Sequence, residues 1–193
     1  NFVGSRVFDV PIDQVTPELR RRVKAMSYGL VYGLSAYGLS NQLSISAGEA
    51  KEIMENYFER FGGVKRYLDE VVEQARRDGY TSTVFGRRRY LPELTSDNRV
   101  ARENAERAAL NAPIQGTAAD IIKVAMLRVD SALSGKTSRV LLQVHDELVV
   151  EVAPGELDEV REIVEREMDK AIELLVPLEV SAGTGVNWDE AAH

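Results

Sequence analysis

The most informative stretch of this chain is RRRVKAMSYGLVYG, residues 20–33. Within it a charged or aromatic residue recurs every four positions, and the series consists of Arg20, Lys24, Tyr28 and Tyr32. Because an α-helix turns once every 3.6 residues, this spacing places the four side chains along one face of a helix. Two cations followed by two aromatic rings suit a ligand with anionic phosphates at one end and a flat base at the other. The same spacing is also typical of a solvated helix face whose tyrosines pack against a core.

Helix and strand signals around this stretch predict a mostly helical first half and a helix-plus-sheet second half. Thr16 and Pro17 form the N-cap and first turn of the helix that carries the series, which we expect to end near Tyr32. Irregular backbone is expected where Gly29, Gly33 and Gly38 follow one another. Further helices are predicted at residues 47–61, 64–77, 98–133 and 154–175, the third bent or split by Pro113. Strand-like runs predict hairpins at 80–84 with 89–91 and at 139–144 with 148–152, and a last strand at 178–185.

Composition limits the classes of protein and site that this chain can represent. The chain has 193 residues, no cysteine and a net charge of −7. Disulfides and Cys-ligated zinc are therefore excluded, and no apolar run is long enough to span a membrane. The charge is unevenly distributed: residues 20–107 contain 16 basic and 12 acidic residues, whereas residues 151–179 contain 3 and 10. Because local potential steers a polyanion, the first of these segments can face phosphates although the whole chain is acidic.

A second candidate site lies at the apex of the second predicted hairpin, at His145, Asp146 and Glu147. Two adjacent carboxylates repel each other unless a cation offsets their charge, and Mg²⁺ is a natural partner for carboxylate oxygens. Turns also favour Asp for conformational reasons alone. His145 and Asp146 would also suit a general acid–base pair, although no Gly-x-Ser-x-Gly nucleophile motif accompanies them.

A third candidate is a series of polar residues with the same four-residue spacing, Arg107, Asn111 and Gln115. Their side chains combine a charge with hydrogen-bond donors and acceptors. Such a series can lie along the minor-groove edge of a base pair or along a sugar. Pro113 interrupts it, and decoration of a helix surface explains these three residues equally well when they are taken alone.

In this order the three features resemble the C-terminal part of a family A DNA polymerase, of the bacterial DNA polymerase I group and with an actinobacterial character. The resemblance is carried by the Arg-x3-Lys-x3-Tyr-x3-Tyr-Gly run, by ERAALNAPIQG at 106–116 and by QVHDEL at 143–148, and it extends to GTGVNW at 183–188. It implies an α+β fold, with mostly helical fingers in residues 1–99 and a helix-plus-antiparallel-sheet palm portion of a right-hand polymerase in residues 100–193. The implied activity is template-directed DNA synthesis in replication and repair. The implied enzyme is bacterial, cytoplasmic, nucleoid-associated and monomeric, with no membrane partner.

The resemblance also implies a role for each residue of the first series. Arg20 and Lys24 would hold the triphosphate of an incoming dNTP and offset its developing charge. Tyr28 would pack against the sugar and base of the dNTP, while Tyr32 and Gly33 would lie under the templating position on the DNA. Because Tyr at the Tyr28 position goes with acceptance of dideoxynucleotides in the family, we expect weak discrimination against these chain terminators.

For the other two candidates the resemblance implies contacts with DNA and with metal. Asp146 would be a ligand of the catalytic Mg²⁺ ions, Glu147 would add a carboxylate to that metal site, and His145 would support the end of the primer DNA. The minor groove of the primer–template would be contacted by Arg107, Asn111 and Gln115.

The resemblance further implies that part of the catalytic machinery lies outside this sequence. Family A catalysis uses two metal ions held by two Asp residues, and the Asp-Tyr-Ser-containing palm strand that carries the second Asp has no counterpart here. We therefore expect a fragment that needs an upstream palm and thumb segment as its partner, does not polymerise alone and exposes an unpaired sheet edge. The alternatives are a single-subunit RNA polymerase of phage or mitochondrial type, a non-catalytic module that binds primer–template or nucleotide, and a hydrolase built on His145 and Asp146.

Overall fold

The computed structural model describes residues 1–191, and the chain divides into two compact units, one ending at Ile114 and the other beginning at Gln115. The first unit contains α1 (Phe2–Phe8), α2 (Pro17–Val31), α3 (Ala36–Leu43), α4 (Ala47–Arg60), α5 (Gly62–Asp78), and an antiparallel hairpin of β1 (Tyr80–Ser82) and β2 (Arg88–Tyr90). Helix α6 (Arg99–Ala132) runs through the division, and the second unit continues with β3 (Arg139–Val144), β4 (Glu147–Glu151), α7 (Leu157–Asp169) and α8 (Trp188–Ala191). Short 3-10 helices lie at Ile12–Gln14 and Pro92–Thr95. This α+β architecture agrees with the sequence prediction, and no helix of residues 1–191 is long and apolar enough to cross a lipid bilayer.

Helix α2 begins and ends where its sequence predicts. The Thr16 hydroxyl accepts a hydrogen bond from the Leu19 backbone N–H at 3.2 Å, and Pro17 occupies the first turn, where no N–H is needed. The apolar face of the helix buries Val23, Met26 and Leu30. These residues follow a three- and four-residue spacing, so burial of this face leaves the opposite side of α2 open to solvent.

The prediction of irregular backbone after α2 is wrong for residues 36–43, which form α3. Ser35 caps this helix by accepting the Gly38 backbone N–H at 3.2 Å, and Leu39 and Leu43 are buried on its inner face. A glycine inside a helix costs about 1 kcal/mol relative to alanine, whereas burying one leucine contributes about 1.5–3 kcal/mol. The free energy gained by burying the leucines therefore exceeds the cost of the glycine. A Cβ at position 38 would lie only 2.5 Å from Leu34 Cδ1, so the side chain of Leu34 needs a glycine there.

Helices α4 and α5 follow the predicted pattern, and the β1–β2 hairpin leads from them to α6. Helix α4 starts with a capping box in which Ser46 and Glu49 satisfy each other's backbone N–H groups. Helix α5 ends at Gly79, whose φ of 77° is left-handed and favours glycine. Behind the hairpin a small core joins α5 to the first part of α6, and it consists of Ala75, Leu91, Leu94, Ala105 and Ala109.

Helix α6 is not split at Pro113, since one helix of 34 residues includes that proline. Proline removes one backbone donor and its ring crowds the preceding turn, which costs about 3 kcal/mol in a helix interior. Buried residues at Ala109, Leu110 and Ile122 lie on both sides of Pro113. Their packing, in each unit by itself, stabilises the helix against that local cost.

The second unit is built on the β3–β4 hairpin, which forms as predicted with a register irregularity between Val140 and Leu142. Its core combines the hairpin with two helices through Val129, Leu133, Val160 and Ile163. Each strand has a single partner among the described residues, and Leu141 and Leu142 are about half exposed. The sheet therefore shows the unpaired edges and apolar surface that the sequence led us to expect.

A carboxylate clamp fixes the start of β3 to the start of α7. Glu156 accepts hydrogen bonds from the backbone N–H groups of Thr137 (3.2 Å) and Ser138 (3.0 Å) and from the Ser138 hydroxyl. The Ser138 oxygen in turn accepts the Ala153 N–H at 2.9 Å. These bonds, led by the one from the Ser138 hydroxyl, lower the pKa of Glu156 from its usual 4.5. The clamp therefore stabilises the hairpin base above that pH and weakens as Glu156 is protonated.

The end of the chain differs from the sequence prediction in two ways. Helix α7 is shorter than the predicted 154–175 and ends at Asp169, and residues 178–185 do not form a strand. A strand requires a hydrogen-bonding neighbour, and within residues 1–191 no segment pairs with this one. Leu175 and Val176 are correspondingly exposed rather than packed.

Candidate functional site

The Arg20 series lies on the solvent side of α2, opposite its buried face. Arg20, Lys24 and Tyr28 are exposed, and Tyr28 shows 57% of its surface. Tyr32 is the C-cap residue, and its ring lies 6.4 Å from that of Tyr28, tilted by 32°. The structure therefore brings the four side chains together on one face, with the two rings as neighbours at the C-terminal end.

The cations of α2 fall into two groups with different partners. Glu18 forms ion pairs with Arg21 at 2.6 Å and with Arg22 at 3.2 Å. In the described part of the chain neither Arg20 nor Lys24 forms an ion pair. The two unneutralised charges are those that share a face with the tyrosines, so this face can receive an anionic ligand without first breaking an ion pair.

A pocket of about 310 Å³ opens where α2 ends. Its lining joins three residues that the sequence had placed in two separate series, Tyr32, Gly33 and Arg107. The remaining lining residues were not singled out from the sequence, and they are Gly29, Leu34, Ser35 and Gln42. Ser35 is recognisable from sequence only as a helix cap, and Gln42 carries no local signal because it follows no series. The pocket supplies an aromatic wall, an amide and a guanidinium within one unit.

Gly33 makes the close approach between the end of α2 and the first part of α6 possible. Its φ of 74° lies in the left-handed region that favours glycine. A Cβ built at this position would lie 3.0 Å from Leu110 Cδ1 and 3.4 Å from Arg107 Cγ. Two independent features therefore favour glycine at this position: the left-handed backbone conformation and the lack of room for a Cβ beside Leu110 and Arg107.

Replacing Gly33 by Ala should lower the free energy of unfolding by about 2–3 kcal/mol, because a left-handed alanine costs about 1–2 kcal/mol and the Leu110 contact adds to this. Gly79→Ala is a matched control, since its φ is 77° and nothing lies within 4 Å of its Cβ position. Urea unfolding of both variants measures the difference. Equal losses would show that the contact with α6 contributes nothing.

Arg107, Asn111 and Gln115 all lie on α6, but they differ in exposure and in hydrogen bonding. Arg107 is exposed and donates a hydrogen bond to Asn104, and Gln115 is exposed at the start of the second unit. Asn111 is half-buried, and its Oδ1 is buried without a hydrogen-bond partner among the described residues. An unsatisfied buried acceptor costs free energy, so Asn111 is the member of this series that would gain most from a donor on a ligand.

The acidic turn presents its side chains to solvent. His145 has a left-handed φ of 54°, and its carbonyl oxygen accepts a hydrogen bond from the Gln143 side-chain amide at 2.6 Å. His145, Asp146 and Glu147 are all exposed. The Gln143 bond supports the unusual backbone of the turn, which holds Asp146 and Glu147 at the hairpin apex.

The donor set at this turn fits Mg²⁺ better than a metal that needs a complete protein cage. Within residues 1–191 no three His, Asp or Glu side chains are grouped to hold a metal ion. Mg²⁺ in phosphate-transfer sites is commonly held by one or two carboxylates, with water and substrate phosphates filling the other positions. Asp146 and Glu147 supply carboxylates of that kind.

Comparison with known proteins gives consistent results. The family model for DNA polymerase family A matches residues 1–190. DNA polymerase I of Mycobacterium bovis is 69% identical over 195 residues, and that of Streptococcus pneumoniae is 51% identical over 189 residues. These alignments cover 100% and 96% of this chain, and in both cases the chain spans 22% of the relative's length.

The fold is likewise similar to that of a solved structure. The POL domain of Pol1 from M. smegmatis, in complex with DNA primer-template and dNTP, matches with a TM-score of 0.97 and 69% identity. The match covers all of this chain and 34% of that domain's chain.

Proposed function

This chain belongs to DNA polymerase family A, and we propose that it forms the nucleotide-binding and part of the metal-binding portion of a template-directed DNA polymerase. In the reaction the primer 3′-oxygen forms a bond to the α-phosphorus of a dNTP. The bond from that phosphorus to the departing pyrophosphate breaks, and the hydroxyl proton is lost. We assign residues 1–99 to the fingers and residues 100–193 to the palm. The work of this enzyme would be DNA replication and repair.

The observation that carries this proposal is the unpaired cation pair beside the tyrosine pair on α2. A dNTP has a strongly anionic triphosphate and a flat base, and the series offers charge and then aromatic surface in that order. Arg20 and Lys24 would bind the phosphates and stabilise the charge that develops on the leaving pyrophosphate. Tyr28 would pack on the sugar and base. Because neither cation forms an ion pair within residues 1–191, little electrostatic reorganisation would be needed when the nucleotide binds.

The pocket at the end of α2 would serve the template strand. Tyr32 and Gly33 would lie beneath the templating base, next to Arg107. Arg107, Asn111 and Gln115 would hydrogen-bond to the minor groove of the primer–template duplex. There the acceptors of A·T and G·C pairs occupy similar positions, so this contact can test base-pair geometry without reading sequence. Arg107 and the side-chain NH₂ groups of Asn111 and Gln115 can donate hydrogen bonds to these acceptors.

The acidic turn of the second unit would bind the catalytic metal. Asp146 would be the principal carboxylate ligand, Glu147 would add a further oxygen, and His145 would support the primer terminus. When bound there, Mg²⁺ ions would neutralise charge on the phosphoryl oxygens and activate the primer hydroxyl. A second Asp from outside this sequence would be needed for a two-metal site. On this proposal the 193 residues alone are inactive.

Primer extension tests the proposal directly. The test protein is a chimera in which this chain replaces the matching third of the M. smegmatis POL domain, assayed with Mg²⁺, a primer–template and four dNTPs beside the chain alone. We expect extension by the chimera only. A folded chimera that binds dNTP in a metal-dependent way but does not extend primers would indicate a binding module instead. Extension by the chain alone would contradict the assignment of a missing second ligand.

Tyr28→Phe should make the chimera discriminate more strongly against dideoxynucleotides. Tyr28 is exposed, and on this proposal its hydroxyl replaces an interaction that the absent 3′-hydroxyl would have made. One net hydrogen bond is worth about 0.5–1.5 kcal/mol, which corresponds to roughly a two- to thirteenfold change in the incorporation ratio of ddNTP to dNTP. Tyr37→Phe, on the exposed side of α3, is the control for loss of a tyrosine hydroxyl. An unchanged ratio in Tyr28→Phe would refute this role.

A further inference from the structure

Leu34, which lies between α2 and α3, contacts each of these helices at a glycine. A Cβ on Gly29 in α2 would lie 2.6 Å from Leu34 Cδ2, and a Cβ on Gly38 in α3 would lie 2.5 Å from Leu34 Cδ1. Neither distance leaves room for a methyl group, so one leucine accounts for both glycines. Because glycine is otherwise unfavourable inside a helix, this arrangement indicates that the position of the Leu34 side chain matters.

The backbone of Leu34 is fixed by the way α2 ends. The Gly33 N–H donates a hydrogen bond to the Leu30 carbonyl at 3.1 Å, and the Leu34 N–H donates one to the Gly29 carbonyl at 2.7 Å. Together with the left-handed backbone of Gly33, these two bonds form a Schellman motif. The hydrophobic contact that often accompanies this motif is here made between Leu34 and Gly29, so the leucine side chain packs directly on the backbone of α2.

Leu34 contributes both to the core of the first unit and to the pocket at the end of α2. It is half-buried and packs against the core cluster that includes Leu39 and Leu43. It also lines the pocket beside Tyr32 and Gly33, and among the lining residues within residues 1–191 it is the only one with an aliphatic side chain. A leucine that served only to close the helix would need the core contact alone. The contact with the pocket gives Leu34 a direct effect on whatever occupies it.

The two glycines also make this wall of the pocket rigid. Since the Leu34 side chain has helix backbone on two sides, it has no room to move away from an occupant. In a close-packed environment a change of a single methylene is felt by its neighbours. One methylene in a binding pocket changes discrimination by about 10- to 200-fold. The width of the pocket is therefore sensitive to the size of this side chain.

We propose that Leu34 is a positioning residue for the templating base: held between Gly29 and Gly38, it sets the width of the pocket and keeps the base in one position beside Tyr32. This inference rests on the proposed function, which assigns the pocket to the template strand. It adds that Leu34 acts on the base through fit rather than through a hydrogen bond, and that both glycines serve this fit.

The test measures how well the templating base is enclosed, using the M. smegmatis chimera with a primer–template and no dNTP. The fluorescent base 2-aminopurine is placed at the templating position or, as a reference, at the far end of the 5′ overhang. Quenching of its emission by acrylamide reports how much of the base is open to solvent. We expect the unmodified chimera to protect the base at the templating position only.

Truncation of Leu34 should expose the base in steps. Leu34→Val removes one methylene and should raise the ratio of open to enclosed base about tenfold, the low end of the range for one methylene in a pocket. Leu34→Ala should raise this ratio further. Leu34→Met should retain the protection, because leucine and methionine have similar volumes and exchange with little disturbance.

Two comparisons separate positioning from stability. Leu43→Ala truncates a buried leucine of α3 that does not line the pocket, so it should lower the midpoint of urea unfolding and leave the protection unchanged. Gly38→Ala should lower both, since the added methyl displaces Leu34. In L34A/G38A the loss of stability should be smaller than the sum of the single losses, because the displaced side chain is absent, while the protection stays lost.

Unchanged protection in Leu34→Val and Leu34→Ala would overturn this role of Leu34. An equal loss of protection in Leu43→Ala would also overturn it, since truncation of the core would then explain the effect. If the unmodified chimera shows no protection specific to the templating position, both this role and the assignment of the pocket to the template are wrong. Since the measurement needs no turnover, a chimera that protects the base but does not extend primers would refute the proposed catalysis and leave the role of Leu34 standing.

Discussion

Replacing Asp146 by Asn in the chimera should reduce the rate of nucleotide incorporation by about a thousandfold or more. Asn has nearly the same size as Asp, and both residues are favoured in turns. The substitution should therefore preserve the β3–β4 hairpin. The substitution removes the negatively charged oxygen that Asp146, exposed at the apex of the hairpin, would offer to Mg²⁺ on the proposed assignment. Metal stabilisation of phosphoryl charge is worth several kcal/mol, and about 4 kcal/mol corresponds to a thousandfold.

This prediction is checked by single-turnover incorporation together with Mn²⁺ binding followed by electron paramagnetic resonance. Asp158→Asn removes the same charge from α7 in the same unit, on a helix without a proposed role, and should change neither quantity. Wild-type Mn²⁺ affinity in Asp146→Asn would contradict the assignment of Asp146 as a ligand, whatever happened to the rate. A loss of affinity in both variants would indicate that only the net charge of the unit matters.

Features that depend on neighbouring residues were predictable from the sequence. The start of α2 is predicted by Thr16 as N-cap and Pro17 in the first turn. Its length agrees with the helical spacing of the buried residues Val23, Met26 and Leu30. The β3–β4 hairpin is likewise specified by two apolar runs and a polar turn between them. In each case the cap, the periodicity and the turn chemistry agree with one another, so local rules suffice.

Features that depend on distant partners were not predictable in this way. Helix α3 looked broken because Gly38 is a poor helix former, and only the space that Leu34 needs explains why a glycine is present. Residues 178–185 have the composition of a strand, but a strand exists only with a neighbour to pair with.

The same distinction applies to the candidate site: helix spacing was predictable from the sequence, whereas contacts between residues far apart in the chain were not. Four-residue spacing correctly placed Arg20, Lys24 and Tyr28 on one face of α2, and the structure shows that this face is exposed. It could not show that Gly33 lets α6 approach and so brings Arg107 to Tyr32, since that contact joins two series far apart in the chain. Nor could it separate the unpaired Arg20 and Lys24 from Arg21 and Arg22, because that distinction depends on where Glu18 points.

Lys24→Ala in the chimera should lower the rate of incorporation by about 100- to 1,000-fold, with a smaller effect on dNTP affinity. The rate should change more than the affinity because negative charge builds up on the leaving pyrophosphate only as the reaction proceeds. A preorganised cation aimed at developing charge contributes more to the transition state than to the ground state. Lys24 is suited to this role because it is exposed on the tyrosine face and no described acidic group competes for it.

Arg21→Ala is the matched control, since Arg21 is a cation on the same helix, lies off the tyrosine face and is already paired with Glu18. Pre-steady-state measurement of the maximal rate and the apparent Kd for dNTP separates the two effects in each variant. Equal losses in Lys24→Ala and Arg21→Ala would mean that the field of the whole helix, rather than the unpaired face, acts on the nucleotide. A large rise in Kd with an unchanged maximal rate would mean that Lys24 binds the ground state only. With Lys24→Arg, recovery of the rate would show that charge at this position is sufficient, whereas continued loss would show that the compact ammonium is required.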